Sequence, residues 1–548
     1  MLAKLSTRPA ARRCTGAGAL ALTLLGSALT GPALPAAAGD DAHRLDRFYR
    51  QRVAWSASAC DVGSPKDLQC GKVSVPLDYA APGAGTLDLA LARYRASGPS
   101  RRGSVVLNFG GPGGAGVAAL TSDGKEFMDL TNGYDVVTFD PRGVGRSSPV
   151  SCGVGAGATS SDTGGGTAGR LDLGSVQAAR KALEEWKKVA AECARHSGPV
   201  LRHMGTVDAA RDLDVIRQAL GDRRLNYLGF SYGTRLGAVY AAQFPGKVGR
   251  LALDGVDTLT ESLAEQGRVA AEGQQTALED FLDWCVQDIA CPFGQDRRQA
   301  GDQVVQLVRA LDENPVPTGS GGRFSGQDLV GAIGQALYSK AMWPSLERAV
   351  AALVQDGDTR GVQAFSSGGA ALAEPPGRPA AAPHPRDGSV VAASDVPPDN
   401  MPAALMAIDC ADDPDRPGAE RIAKDLGRLG AEYEQASPVF GRYRLNQLLM
   451  CYGRPGGTTF IRDRVKDVHT AKMLLVGTRG DPATPYRWTV ETARRLGPSA
   501  VVLDNRGDGH TGYGSSRCVH RKVNDFLLYG SLPPDGSSCP ADTPDRSG

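Results

Sequence analysis

Three residues that could do chemistry together occur along the chain in the order serine, aspartate, histidine. Ser231 is the centre of the G-x-S-x-G segment 229–233 (GFSYG), Asp481 follows an apolar run, and His510 follows another. A histidine base can take the proton of a serine hydroxyl, while a carboxylate holds the imidazole in the right tautomer. These residue types therefore indicate acyl transfer through a covalent serine intermediate.

The setting of Ser231 supports a role as nucleophile. The G-x-S-x-G pattern alone is weak evidence in a chain with 70 glycines among 548 residues. However, 225–229 (LNYLG) is typical of a buried strand, and the segment up to about Phe244 has the pattern of a helix. A nucleophile elbow needs a strand before the serine, a helix after it and small flanking residues that keep the backbone clear. The sequence supplies all three.

A glycine-rich segment, 108–116 (NFGGPGGAG), follows the apolar strand 104–108. Such a turn can also bind phosphate, but this one lacks the Lys-Ser/Thr of a P-loop and the dinucleotide-binding fingerprint. In a serine hydrolase, glycines here let backbone N–H groups approach the developing oxyanion. We expect the Gly110/Gly111 loop and the N–H of Tyr232 to provide these donors.

The acid and the base are assigned from their places at strand ends. Asp481 comes directly after the apolar strand 473–477, and His510 comes after the strand 500–503. Asp508 competes as the acid, but it precedes the histidine by only two residues in the same loop. We therefore favour Asp481. No comparable strand-end position is held by the other histidines, which are His43, His196, His203, His384, His469 and His520.

Strand patterns alternate with helix patterns over much of the chain, which predicts a parallel sheet covered by helices on both faces. A hairpin is expected over 70–96. The strand rhythm stops after about Val256 and resumes after about Thr470, and helical periods dominate between them. We predict four segments: a signal peptide at 1–38, an α/β domain at 39–256 and 471–548, and a mainly helical insertion at 257–470.

The first 38 residues resemble a secretory signal. A basic start with Lys4, Arg8, Arg12 and Arg13 precedes an apolar stretch, and small residues at 36–38 offer a cleavage site near Ala38. An uncleaved membrane anchor is the alternative, but glycines and prolines interrupt the stretch. The formal charge of +1 with no basic block argues against a nucleic-acid role. The mature chain is expected to be secreted.

Cysteine usage agrees with export. Loss of Cys14 with the signal leaves ten of the 11 cysteines, and an oxidising compartment favours disulfides. There is no C-x-x-C pair or histidine cluster, so no zinc site is expected. The even count leaves no free cysteine for a thiol nucleophile, and the serine chemistry requires no metal or organic cofactor. The sequence leaves the connectivity open. Pairing of neighbours would join Cys60–Cys70, Cys152–Cys193, Cys285–Cys291, Cys410–Cys451 and Cys518–Cys539.

Several motifs together resemble those of exported α/β-hydrolase peptidases of the tripeptidyl aminopeptidase type, which are relatives of prolyl iminopeptidases. The motifs are FGGPGG, TFDPRGVGRSSP, GFSYGTRLG, GTRGDPATP and GDGHTGY, and the resemblance extends from about Cys60 to Cys539. It implies an α/β-hydrolase fold with a large helical cap. It also implies Ser231, Asp481 and His510 as the triad and Gly111 with Tyr232 as the oxyanion hole. Phe109 departs from prolyl iminopeptidases, which have histidine there.

The resemblance implies a secreted serine exopeptidase that releases short peptides, above all tripeptides, from free amino termini. A prolyl iminopeptidase-like aminopeptidase and an esterase or lipase of the same fold are alternatives. A non-catalytic binding module is disfavoured because the serine, acid and histidine are all present. The carboxylate that would hold a substrate amine stays open among Glu265, Glu272, Asp283, Asp409, Asp412 and Asp413.

Overall fold

The computed structural model describes residues 45–153, 176–319, 321–366 and 388–542. The predicted signal segment 1–38 lies outside these ranges. Within them the chain forms eleven strands: β1 (Leu68–Pro76), β2 (Thr86–Tyr94), β3 (Ser104–Asn108), β4 (Asp135–Phe139), β5 (Leu225–Phe230), β6 (Val248–Asp254), β7 (Val316–Pro317), β8 (Arg323–Phe324), β9 (Met473–Gly480), β10 (Ala500–Asp508) and β11 (Ser537–Cys539).

Nine strands form one sheet in the order β1-β2-β4-β3-β5-β6-β9-β10-β11. The β1–β2 and β2–β4 pairs are antiparallel, and every other neighbouring pair in this sheet is parallel. The expected hairpin is therefore β1–β2, at one edge. Since β5, β9 and β10 run in the same direction, their carboxyl ends meet at one edge of the sheet. The predicted fold class, a mostly parallel sheet with helices on both faces, is confirmed.

The helices surround this sheet. They are α1 (Gly116–Asp123), α2 (Val176–Ser197), α3 (Thr206–Leu220), α4 (Tyr232–Gln243), α5 (Leu263–Cys285), α6 (Arg297–Glu313), α7 (Gly326–Ala336), α8 (Trp343–Asp356), α9 (Arg360–Ser366), α10 (Asn400–Asp412), α11 (Ala419–Ala436), α12 (Gly441–Arg444), α13 (Phe460–Arg464), α14 (Tyr486–Leu496) and α15 (Arg517–Tyr529). None of these is long and apolar enough to cross a membrane.

Burial of both faces explains why the central strands are continuously apolar. All five residues of β3 and of β4 are buried. Along β3, Val106 belongs to one hydrophobic core, while Val105 and Leu107 belong to the core on the opposite face. This alternation follows from the two-residue period of a strand. The sheet is thus held by two cores at once, as a parallel sheet requires.

Between β6 and β9 the described residues contribute no strand to the main sheet. Helices α5 to α8 enclose a core of their own, which includes Phe281 and Trp343. Helix α10, which the sequence analysis did not predict, behaves differently. Its residues Ala404 and Ile408 belong to the same core as Tyr232 of α4. One part of the segment between β6 and β9 therefore packs into the α/β domain, while another part has a separate core.

Five disulfides join the ten cysteines of the described ranges. They are Cys60–Cys70, Cys152–Cys193, Cys285–Cys291, Cys410–Cys451 and Cys518–Cys539, with sequence separations of 10, 41, 6, 41 and 21 residues. Each bond joins cysteines that follow one another in the sequence. The Cys410–Cys451 bond ties the end of α10 to the segment after α12.

We expect no titratable thiol in protein that lacks residues 1–38, denatured without reductant and treated with a thiol reagent. In addition, Cys285→Ala/Cys291→Ala should destabilise the protein less than Cys410→Ala/Cys451→Ala. The longer loop gains roughly 1.7 kcal/mol more from lost chain entropy. Denaturant unfolding of the two double variants gives the comparison. A pair of free thiols in the unmodified protein would contradict the five-bridge assignment.

Candidate active site

Ser231 occupies a sharp turn between β5 and α4. Its φ is 54° and its ψ is −126°, a conformation that non-glycine residues rarely adopt. Its N–H donates to the carbonyl oxygen of Asp254 at 2.9 Å. A Cβ on Gly229 would lie 2.5 Å from the carbonyl oxygen of Gly233, and a Cβ on Gly233 would lie 2.7 Å from Oδ1 of Asn108. Both glycines of the motif are therefore required by close packing around the turn.

The glycine-rich loop lies against Ser231. A Cβ on Gly110 would be 2.5 Å from the carbonyl oxygen of Phe230 and 2.9 Å from the Cβ of Ser231. The N–H of Gly110 donates to Oδ1 of Asn108 at 3.1 Å. The N–H of Gly110 is thus engaged within the loop, whereas Gly111 is an exposed residue. Tyr232 supplies its N–H at the first position of α4, where no intrahelical acceptor exists.

Asp481 and His510 are in direct contact. Nδ1 of His510 is 2.9 Å and 3.0 Å from the two carboxylate oxygens of Asp481. The carboxylate is buried and also accepts from the N–H groups of Ala483 and Thr484, both at 2.8 Å, and from the hydroxyl of Thr484 at 2.9 Å. The loop that follows β9 therefore fixes the carboxylate before it meets the imidazole.

The charges of this pair support each other. Burial disfavours the charged imidazole, but the carboxylate of Asp481, assisted by Asp254 and Asp257, outweighs it and raises the pKa of His510. Burial likewise disfavours the carboxylate. The charge and hydrogen bond of His510 and the N–H donors of its own loop nevertheless bring the pKa of Asp481 below its usual range. Asp481 thus stays an acceptor that stabilises an imidazolium.

Asp508, the competing acid, has a different partner. Its carboxylate forms an ion pair with the ammonium group of Lys340. No hydrogen bond in the described part of the chain joins it to His510.

Ser231 and His510 both lie close to the end of β6 and the residue that follows it. Asp254 accepts from the N–H of Ser231, and a Cβ on Gly255 would lie 3.5 Å from Cε1 of His510. Within residues 45–153, 176–319, 321–366 and 388–542, no hydrogen bond joins the Ser231 hydroxyl to the His510 ring. Catalytic hydrogen bonds of this kind are often long without substrate and shorten in the reacting complex.

Asp254 is a residue of the site that the sequence analysis missed. Its buried carboxylate accepts from the N–H of Gly512 at 2.9 Å and of Tyr513 at 2.7 Å, while its carbonyl binds Ser231. It therefore joins the serine turn to the histidine loop. Burial raises the pKa of Asp254 to about 6. The signal was present in the sequence, because Asp254 ends the apolar strand β6, which pairs with the serine strand.

The helical segment between β6 and β9 reaches the histidine. The carbonyl oxygen of Tyr338, just after α7, accepts from the N–H of His510 at 2.8 Å. The two rings meet edge to face with their centroids 5.0 Å apart. A side chain at Gly509 would also collide with the carbonyl oxygen of Tyr338, 2.9 Å from its Cβ position. The insertion is therefore in contact with the candidate base.

The carboxylates considered for binding a substrate amine all have partners within the described chain. Glu265 and Glu272 pair with Arg268, Asp283 pairs with Arg297, and Asp409 and Asp412 lie near Arg235. Asp413 accepts from the N–H of Leu263 at 3.0 Å. Within the described residues, no group of three or more histidine, cysteine, aspartate and glutamate side chains is arranged to hold a metal ion.

Comparisons with known proteins extend these observations. A family model described as the alpha/beta hydrolase fold matches residues 103–356, and a model described as TAP-like protein matches residues 437–539. The chain is 31% identical to the tripeptidyl aminopeptidase of Streptomyces coelicolor, over 90% of this chain and 87% of the relative. It is 30% identical to the serine protease Hip1 of Mycobacterium tuberculosis, over 91% and 93%. Carboxylesterase B of M. tuberculosis is 30% identical, over 87% and 88%.

The sheet order, the serine turn and the matched models define an α/β-hydrolase, and the protein is thus a hydrolytic enzyme of this class. Within the class, the chain belongs to the tripeptidyl aminopeptidase family. The resemblance seen in the sequence motifs is confirmed.

The raised pKa of His510 predicts the pH dependence of activity. A base acts only when neutral, so kcat/KM should rise with pH through a midpoint above about 6.5, the ordinary value for histidine. In Asp481→Asn the attraction that raises the pKa is lost. The rising limb should then move to lower pH while kcat falls by about 10⁴-fold. The pH profiles of kcat/KM for the two proteins test this. A limb at unchanged pH in Asp481→Asn would show that this carboxylate does not face the essential base.

Proposed function

We propose that the protein is a secreted serine aminopeptidase that releases short peptides, above all tripeptides, from free amino termini. The observation that carries the proposal is the arrangement of the turn at Ser231 and the hydrogen-bonded pair of Asp481 and His510. Ser231 stands at the tight turn between β5 and α4. The bonded residues Asp481 and His510 lie just after β9 and β10, at the same edge of the sheet. Relatives named tripeptidyl aminopeptidase and serine protease support the peptide substrate.

In the proposed mechanism, His510 takes the proton of Ser231 as its Oγ attacks the scissile carbonyl carbon. The N–H groups of Gly111 and Tyr232 stabilise the oxyanion of the tetrahedral intermediate. The imidazolium then protonates the leaving amine, and the C–N bond breaks to give an acyl-enzyme. Water, activated by the same imidazole, releases the short peptide acid and restores the serine. Asp481 stabilises the imidazolium in both half-reactions.

Restriction to chain ends is attributed to the insertion 257–470, as a cap over the site. The contact of Tyr338 with His510 supports this, since a segment of the insertion reaches the catalytic loop. A roof that closes one end of the cleft would admit a chain terminus and exclude an internal segment of a folded protein. The same acyl-transfer chemistry then becomes exopeptidase activity.

Export is proposed from two independent features. The first 38 residues have the charge and hydropathy pattern of a secretory signal. The described chain also contains five disulfides, which persist in oxidising compartments and are rare in a reducing cytosol.

An esterase is the second candidate function. A relative named carboxylesterase B matches this chain at 30% identity over 87% of its length. Both activities would use the same serine, histidine and oxyanion donors, so they differ only in the leaving group that the cleft accepts.

Ser231→Ala should fold normally and lose about 10⁴- to 10⁶-fold in kcat, since it removes the nucleophile. Ser499→Ala is the matched control. It likewise removes one serine hydroxyl. Ser499 lies just before β10, is buried and donates to the carbonyl oxygen of Val468, so this variant should keep its activity. Turnover of a chromogenic tripeptide by purified variants gives both values. Near-normal turnover by Ser231→Ala would disprove the serine assignment.

A free amino terminus should be required. We expect chromogenic tripeptides to be cleaved at least about 100-fold better than their N-acetylated forms, because a blocked substrate would leave unpaired the carboxylate that binds the substrate ammonium in the cleft. Turnover of a short-chain ester, measured under the same conditions, tests the esterase alternative. Equal cleavage of free and blocked peptides, or internal cuts in a folded protein, would favour an endopeptidase, and preference for the ester would favour an esterase.

A further inference from the structure

The side chain of Tyr232 begins a buried hydrogen-bond chain that leaves the candidate site. Its hydroxyl is 2.6 Å from Oγ1 of Thr206, the first residue of α3. That oxygen is in turn 2.5 Å from Oδ2 of Asp412, the last residue of α10. A carboxylate only accepts, so the threonine donates to Asp412 and accepts from the tyrosine. The chain therefore runs in one direction, from Tyr232 to Thr206 to Asp412.

Asp412 has a second bond to the same residue. Its Oδ1 accepts from the N–H of Thr206 at 2.8 Å. This matters because Gly205, at the N-cap of α3, provides no side-chain acceptor for the helix. Asp412 thus caps α3 from a distant part of the chain. Thr206 is completely buried and Asp412 is 7% exposed, so water does not compete for these bonds.

An ion pair network fixes the same group of elements. Arg235 lies one turn after Ser231 on α4 and is 94% buried. Its guanidinium is 3.0 Å from Asp257, 3.7 Å from Asp412 and 3.8 Å from Asp409. Asp409 and Asp412 belong to α10, whereas Asp257 follows the segment that contacts Ser231 and His510. The serine helix is therefore tied to α10 on one side and to the histidine region on the other.

The opposite end of α10 packs against the glycine-rich loop. A Cβ on Gly113 would lie 2.8 Å from the carbonyl oxygen of Met401 and 3.1 Å from the Cβ of Ala404. One helix thus contacts both sources of proposed oxyanion donors. Its first turn touches the loop that carries Gly111, and its last residue, Asp412, is linked through Thr206 to the side chain of Tyr232.

We infer that Asp412 is a positioning residue of the oxyanion hole, which acts through Thr206 on the side chain, and so on the backbone N–H, of Tyr232. This inference rests on the proposed function only in that it needs an acyl-transfer reaction at Ser231. It extends that function, because it assigns part of the site's geometry to the segment between β6 and β9. Asp412 does not touch the substrate.

Tyr232→Phe keeps the ring and removes only the first bond of the chain. We expect kcat to fall by about 10- to 100-fold while KM changes by less than about 3-fold, since a displaced oxyanion donor weakens binding of the transition state alone. Thr206→Val should give the same loss, and Thr206→Ser, which keeps the hydroxyl, should retain activity. The double variant Tyr232→Phe/Thr206→Val should lose no more than the larger single loss.

Tyr240→Phe is the matched control. Tyr240 lies on the same helix, is completely buried, and donates through its hydroxyl to Asp214 at 3.0 Å. It should lower the melting temperature about as much as Tyr232→Phe without changing kcat. Affinity for a tripeptidyl aldehyde, whose adduct with Ser231 carries an oxyanion, should fall in Tyr232→Phe in parallel with kcat, whereas affinity for the tripeptide product should not.

Both a chromogenic tripeptide and a short-chain ester serve as substrates, so that the inference is tested even if the peptide assignment is wrong. Activity on the ester but not on the peptide would disprove the aminopeptidase proposal and leave the inference intact. Equal kcat in Tyr232→Phe and Tyr240→Phe, or a Thr206→Ser variant as impaired as Thr206→Val, would overturn the inference. Asp412→Asn, with folding checked by its melting curve, should lower kcat as Tyr232→Phe does, and a folded Asp412→Asn variant with full kcat would also overturn the inference.

Discussion

The site depends on one backbone constraint, the tight turn at Ser231. A side chain with φ near 54° is held in a conformation that costs about 1–3 kcal/mol, and surrounding structure must hold it there. Here the turn is enclosed from three directions. Gly110 packs on it from the glycine-rich loop, Gly233 packs on Asn108, and the carbonyl of Asp254 holds its N–H. The turn can form only because the backbone near the ends of β3, β5 and β6 approaches it closely, with no side chain in between.

The candidate site residues could be proposed from the sequence because each belongs to a local pattern. The glycine-rich loop, the serine turn and the acid and histidine loops each follow a short apolar strand, and a parallel sheet brings strand ends to one edge. Strand β3 also has the bounds expected from its apolar pattern. Hydrophobic periodicity and turn residues are sufficient to predict a segment where it packs against its neighbours in a standard way.

The supporting residues could not be predicted, because their partners are far apart in the sequence. Thr206 and Asp412 are separated by 206 residues, and Asp254 and Gly512 by 258. No local pattern distinguishes such a carboxylate from one exposed on a helix. Helix α10 was missed for a related reason. It follows a Gly/Ala/Pro-rich stretch, and its residues buried in the α/β core are the small Ala403, Ala404 and Ala407 with Ile408. They pack against core residues that the sequence alone does not bring near the helix.

Three buried carboxylates share one structural solution. Asp254 accepts two N–H groups of the histidine loop, Asp481 accepts two from its own loop, and Asp412 accepts the first N–H of α3. A buried charge is costly unless it is hydrogen-bonded, and irregular loops carry N–H groups that the sheet cannot satisfy. Each carboxylate reduces both the cost of its own buried charge and the cost of unpaired N–H groups. The N–H groups that stabilise it would otherwise have no acceptor. Each carboxylate therefore joins segments that are distant in the sequence or fixes a loop next to the site. Asp254 and Asp481 in this way fix the serine turn and the imidazole of His510, the geometry on which transition-state stabilisation would depend.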